Sequence, residues 1–159
     1  MHRSALVSLV VASLVTAACA KKDTQAATDS SAAAAAAAMA PKPVTLADFA
    51  GTWAIKSWNE ARDTVLVESE LMATADTNSW MLHLPNRPPM AVKIVAMGGD
   101  SVVTDVGPYE SILRKGVKVS THSVYHLMDG KLVGTTIAHY NTKGADSVRT
   151  IPTEGVRKP

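Results

Sequence analysis

The sequence predicts an all-β domain: an antiparallel up-and-down meander of about eight strands that closes into a small barrel. Three observations predict it. From Thr45 onward apolar and polar residues alternate with a period of two, and no long window carries a helical stripe. Short apolar runs follow one another with tight turns between them, which favours consecutive antiparallel neighbours. Asp129-Gly130 is a strong two-residue hairpin signal, since a type I′ turn needs positive φ at both central positions.

The individual strands are expected near 51–58, 64–74, 78–84, 90–97, 101–106, 109–114, 117–128, 131–140 and 146–151. Turn residues separate them: Asn59 to Asp63, Asp76-Thr77-Asn78, Pro85 to Pro89, Gly98-Gly99-Asp100, Gly107-Pro108, Lys115-Gly116 and Lys143-Gly144. In the clearest run Val117, Val119, Thr121, Ser123, Tyr125 and Leu127 take one face, and Lys118, Ser120, His122, Val124, His126 and Met128 the other. A turn at Asp129-Gly130 then fixes the register, with Met128 opposite Lys131, Leu127 opposite Leu132, Tyr125 opposite Gly134 and Thr121 opposite Ala138. Exposed sheet edges invite aggregation, and curling the meander into a barrel hides them.

The same alternation turns Trp53, Trp80 and Tyr125 inward, together with Val65, Val67, Leu82, Val92, Ile94, Leu113, Val119 and Leu127. Such residues fill a core, and an eight-stranded barrel can be filled by its own side chains. Trp53, Trp80, Tyr125 and Gly134 are the candidates for lining a pocket, because Gly134 leaves a missing side chain opposite the Tyr125 ring. Trp58 falls on the face opposite Trp53 and is expected at the surface or over a barrel end.

Gly99-Asp100-Ser101-Val102 looks like the nucleophile block of one class of lipases and esterases. Asp followed by Ser or Thr and then Val occurs three times, at 63–65, 100–102 and 146–148, each time at a strand entry. Asp turns the chain through its side chain and the hydroxyl residue opens the strand, so the repeat reads as turn chemistry. The α/β context such a serine requires is missing from the pattern, and no enzyme is expected.

The N-terminal end carries a different message. His2 and Arg3 precede an apolar run from Ala5 to Ala18, too short for a permanent span of roughly 20 residues and so expected to be a secretory signal over 1–18. Val15-Thr16-Ala17-Ala18-Cys19 resembles a bacterial lipobox, which implies acylation of Cys19 and a protein anchored to a membrane. Cys19 is the only cysteine, so the chain has no disulfide partner of its own. Two or three acyl chains at about 0.8 kcal/mol per buried methylene would make that anchoring almost permanent. Ala20 after the cysteine implies, by the same resemblance, the outer membrane of a Gram-negative cell envelope. Residues 19–44 are rich in Ala, Lys, Asp, Thr, Ser and Pro, with alanine at every position from 32 to 38, and read as a disordered tether. As a flexible coil of about 25 residues it would reach some 28 Å on average.

The domain over 45–159 can bury one core. Its near-neutral charge, +2 for the whole chain and +1 once Arg3 leaves with the signal, argues against nucleic acid as a partner.

Asp48 to Ile55, with Gly51 and Trp53 as a Gly-x-Trp pair, resembles the opening of lipocalins and related calycin-like domains; Val124 to Gly134 is similar to a late hairpin in small lipocalin-like lipoproteins of uncharacterised function. The resemblance implies a lipocalin-like barrel in which a late arginine, Arg149 or Arg157, packs on Trp53. It differs in being short, in having no helix after the strands, and in Val106 following Thr104-Asp105.

Histidines raise the question of a metal. His122 and His139 are diagonal neighbours on one outward face, within the ~7–8 Å such positions allow, while His126 lies about 13 Å further along its strand. Two histidines with no third ligand make a poor zinc site, and no metal or other cofactor is expected. The expected function is that of a non-enzymatic, lipid-anchored envelope protein holding a small apolar ligand. The alternative is an accessory module with a solid core and an outer face for another envelope protein.

Overall fold

The computed structural model describes residues 43–159. The signal, Cys19 and the tether up to residue 42 lie outside the described residues. A single helical turn, α1 (Leu46–Phe49), precedes nine strands: β1 (Gly51–Trp58), β2 (Val65–Ala73), β3 (Met81–His83), β4 (Met90–Ala91), β5 (Lys93–Gly98), β6 (Ser101–Glu110), β7 (Lys118–Met128), β8 (Lys131–Tyr140) and β9 (Val148–Arg157). All pairings are antiparallel, in the order β4-β3-β2-β1-β9-β8-β7-β6-β5. This is the expected meander.

Its last strand returns beside the first, so β9 sits between β1 and β8. The sheet's two outer strands, β4 and β5, are neighbours in sequence with only Val92 between them. β4 pairs with β3 and β5 with β6, and Val92 donates its N–H to the Trp80 carbonyl at 2.9 Å. One stretch of chain thus bridges the two edges, and the barrel is nearly closed. Few backbone groups are left as a template for foreign strands.

The β7–β8 hairpin has the register its turn dictates, from Met128 opposite Lys131 to Thr121 opposite Ala138. Asp129 and Gly130 both have positive φ, 51° and 73°. Elsewhere the boundaries move for local reasons. The two runs expected at 101–106 and 109–114 form one strand, β6, whose register shifts between Val106 and Tyr109. Gly107 allows the shift: at φ 113° it brings its backbone so close to β7 that a Cβ would lie 2.9 Å from the Val119 carbonyl oxygen. Residues 111–114 leave the ladder because the Ser111 hydroxyl accepts the N–H groups of Leu113 and Arg114, at 3.1 and 3.0 Å.

The strand expected at 146–151 starts later and runs on through Pro152 and Gly155. Pro152 is tolerated because β1 pairing ends at Thr153, leaving β9 a single neighbour there. Gly155 is covered by the Ile55 side chain. α1, one turn long, is too short to leave a periodic signature.

Two clusters fill the interior. At the closed base, Phe49, Trp53, Leu71, Trp80, Val102 and Leu132 are almost fully buried. Each such aliphatic side chain contributes about 1.5–3 kcal/mol. The Trp53 indole donates to the Phe49 carbonyl and the Trp80 indole to the Thr74 carbonyl, both at 2.8 Å, so neither polar tip is stranded. A smaller cluster of Val119, Ala138, Tyr140 and Ile151 lies toward the other end, beneath the loops at 59–64, 84–89, 111–117 and 141–147. Every strand and both clusters fall within Pro43–Pro159, which makes this segment a self-contained folding unit.

Candidate functional site

Between the two clusters the barrel encloses a cavity of about 80 Å³. One water needs roughly 10–15 Å³ by this measure, whereas pockets for drug-sized ligands begin near 300 Å³. The space suits a small guest. Its wall is largely aliphatic along its whole height, from Leu71, Leu82 and Val92 to Val106, Val119 and Ile151. Interspersed with these, inward positions of β1, β2, β6, β7 and β8 carry hydroxyls: Ser57, Ser69, Thr104, Thr121, Ser123 and Thr136.

These hydroxyls are inward because the strand period puts them there, and part of the set is already paired. Ser123 Oγ is 2.9 Å from Thr136 Oγ1, which is 3.1 Å from the hydroxyl of the fully buried Thr153. Three phenols stand among them, Tyr109, Tyr125 and Tyr140. Burial pushes the Tyr125 phenol up, opposed by the Ser123 and Thr136 hydroxyls. Burial raises Tyr109 as well, opposed by the Thr121 hydroxyl and, more weakly, by the Arg87 guanidinium. Both phenols therefore stay neutral at physiological pH and can donate or accept hydrogen bonds.

The β6–β7 loop contributes Ser111, Ile112 and Leu113 to the cavity's lining, and Ile112 is 41% exposed. That loop is pinned at several points. Ser111 N–H donates to the Val117 carbonyl at 2.7 Å, Gly116 N–H to Glu110 Oε1 at 3.3 Å, and Arg114 to the Asp146 carbonyl at 2.7 Å. The Arg114 guanidinium also lies 4.1 Å from the centre of the Tyr140 ring, within cation–π range. At the same end of the barrel, the register of β1 and β2 shifts between Ser57 and Trp58, and the Trp58 indole N–H is buried without an acceptor among the described residues.

Of the four residues singled out as a pocket, Tyr125 lines this cavity, whereas Trp53 and Trp80 belong to the packed base below it. Gly134 faces Tyr125 as expected, but the space beside it is taken by backbone: a Cβ there would lie 1.9 Å from the Val124 carbonyl oxygen. The choice between Arg149 and Arg157 is resolved in favour of Arg157, whose guanidinium lies 4.4 Å from the Trp53 ring. Tyr109, Tyr140 and the Ser111 turn were not singled out by sequence. The cue was available in Pro108-Tyr109-Glu110-Ser111, where aromatic and hydroxyl residues flank a glycine-proline step.

His122 and His139 share an outer depression with Asp105, and Asp105 Oδ1 is 2.7 Å from His122 Nδ1. Among the described residues, no group of three or more His, Cys, Asp or Glu is arranged to hold a metal ion. Ser101 stands opposite His126, and Asp100 Oδ1 is 3.0 Å from His126 Nδ1, so the three side-chain types of a hydrolytic triad are neighbours. The Ser101 hydroxyl, however, donates to the Gly98 carbonyl at 3.0 Å, and the Asp–His pair is substantially exposed. These contacts close the β5–β6 turn onto the β7–β8 hairpin. Compared with known proteins, the chain matches no family model, no curated protein and no solved structure.

Proposed function

We propose that this protein is a non-enzymatic binding protein of the bacterial envelope, anchored through an acylated Cys19, whose lipocalin-like barrel holds a small, mainly apolar molecule in its upper half. The observation that carries the reading is the cavity itself: a largely aliphatic wall, a set of hydroxyls and phenols among it, and a pinned loop contributing to its lining. A barrel needing only a solid core gains little from inward serines and threonines, because each buried hydroxyl must find a partner. A few convergent polar groups in a mainly apolar wall are what fix the orientation of a small ligand.

Calorimetric titration of residues 43–159 with 1-octanol tests the reading. Saturable binding is expected, and Ala138→Leu should abolish it by filling the cavity from its buried wall while thermal unfolding stays cooperative. Absence of binding to the wild-type domain would leave the solid-barrel accessory module as the better account.

A further inference from the structure

Resting on the cavity reading above, we infer that the ligand is anionic at one end and that its charged head sits outside the barrel, in the depression between the β3–β4 loop and the start of the β6–β7 loop. The depression is bounded by Asn86 and Arg87 on one side and by Glu110, Ser111, Ile112 and Lys115 on the other. Ser111 and Ile112 also line the cavity, so the two spaces adjoin. A single amphiphile of modest length can occupy both, its body within and its head without.

Two cations and one carboxylate face this depression, and the carboxylate is engaged, since Glu110 Oε1 accepts the Gly116 N–H. Arg87 donates from one nitrogen to the Glu110 carbonyl, which holds the guanidinium in place, and pairs with no carboxylate among the described residues. A guanidinium carries five N–H donors, so Arg87 keeps most of its capacity for an anion. Lys115 makes no ion pair among the described residues either.

By contrast, Arg62, Lys56 and Lys158 each meet a glutamate. Arg87 and Lys115 are the two cations that line this depression, and neither is taken up by a carboxylate among the described residues. A guanidinium fixed by a backbone acceptor is suited to a planar carboxylate, which it meets with two parallel hydrogen bonds.

Octanoate and 1-octanol, matched in chain length and differing in head charge, separate the two claims. Octanoate should bind residues 43–159 about tenfold or more tightly than octanol at low salt, and the advantage should shrink as salt is raised. Arg87→Gln should remove most of the advantage and leave octanol affinity unchanged, with Lys115→Gln giving a smaller loss in the same direction. Equal binding of the two probes, or an octanoate advantage that survives both substitutions, would overturn the head-group site while leaving the cavity reading intact. Failure of both probes to bind would overturn the cavity reading and this inference with it.

Discussion

The guanidinium of Arg157, near the end of the last strand, lies 4.4 Å from the Trp53 ring near the start of the first and donates hydrogen bonds to the carbonyls of Ala50 and Asp48. It covers the closed base and ties β9 to the segment leading into β1. Gly51 makes room for it: a Cβ at that position would fall 2.9 Å from a guanidinium nitrogen. The Gly-x-Trp pair thus has a physical reading, in which the tryptophan offers its face and the glycine the space for the arginine over it.

Arg157→Ala should lower stability by about 1–3 kcal/mol, combining one cation–π contact with two lost charge-assisted hydrogen bonds. Arg157→Lys should recover only part of this, because an ammonium cannot stack flat and reach both carbonyls. Thermal denaturation checks both; an unchanged midpoint for Arg157→Ala would mean the base is held by apolar packing alone.

Gly134 and Gly155 both face tight surroundings, but of different kinds. At Gly134 the obstacle is the Val124 backbone across the ladder, whereas at Gly155 it is the movable tip of Ile55, 2.6 Å from where a Cβ would stand. Gly134→Ala should therefore cost about 3 kcal/mol or more, and Gly155→Ala clearly less. Urea unfolding of the two variants gives the order directly, and a reversed order would contradict the hairpin geometry.

The Ser111 hydroxyl accepts two loop N–H groups from a side chain only 4% exposed. Ser111→Ala should cost about 1–2 kcal/mol and loosen the cover of the cavity. Hydrogen exchange at the Leu113 and Arg114 amides should speed up while that of β8 stays as it was; equal protection in the variant would show that other contacts hold the loop.

Acid sensitivity follows from three carboxylates. The His126 ring holds Asp100 below its ordinary 3.8, Lys158 holds Glu70 below 4.5, and Asn59 holds Asp63 below 3.8. A carboxylate whose folded pKa is depressed stabilises the fold fully above its unfolded value and loses that contribution as pH falls through the folded one. The melting temperature should thus hold steady down to about pH 5 as far as these groups are concerned, then fall toward pH 3. Asp100→Asn should flatten part of that acid limb. A limb identical in Asp100→Asn would remove the His126 contact from the account.

Anchoring is tested at Cys19. Cys19→Ser should abolish incorporation of a clickable palmitate analogue in a Gram-negative host; equal labelling of both forms would exclude acylation at this residue.

The barrel was legible in the sequence because its determinants are local. Period two assigned the faces, and Asp129-Gly130 fixed ten consecutive pairs of the β7–β8 ladder. What the sequence concealed depends on partners far along the chain. Nothing near Gly134 announces that Val124 blocks it, and nothing near Arg87 announces that its guanidinium reaches the Glu110 carbonyl. The same limit explains the pocket candidates. Inward parity is shared by Trp53, Trp80 and Tyr125, but their height along the barrel, set by the stagger of the strands, decides which of them meets empty space.

The central claim is that the upper half of the barrel, and not its base, takes a ligand. A ¹⁵N-correlated NMR titration of residues 43–159 with 1-octanol addresses it most directly. The account predicts saturable shifts centred on Tyr109, Thr121, Thr136 and Ala138, with the Trp53 and Trp80 indole signals nearly unmoved. Shifts confined to the indoles and the outer strands, or no saturable shifts at all, would contradict it.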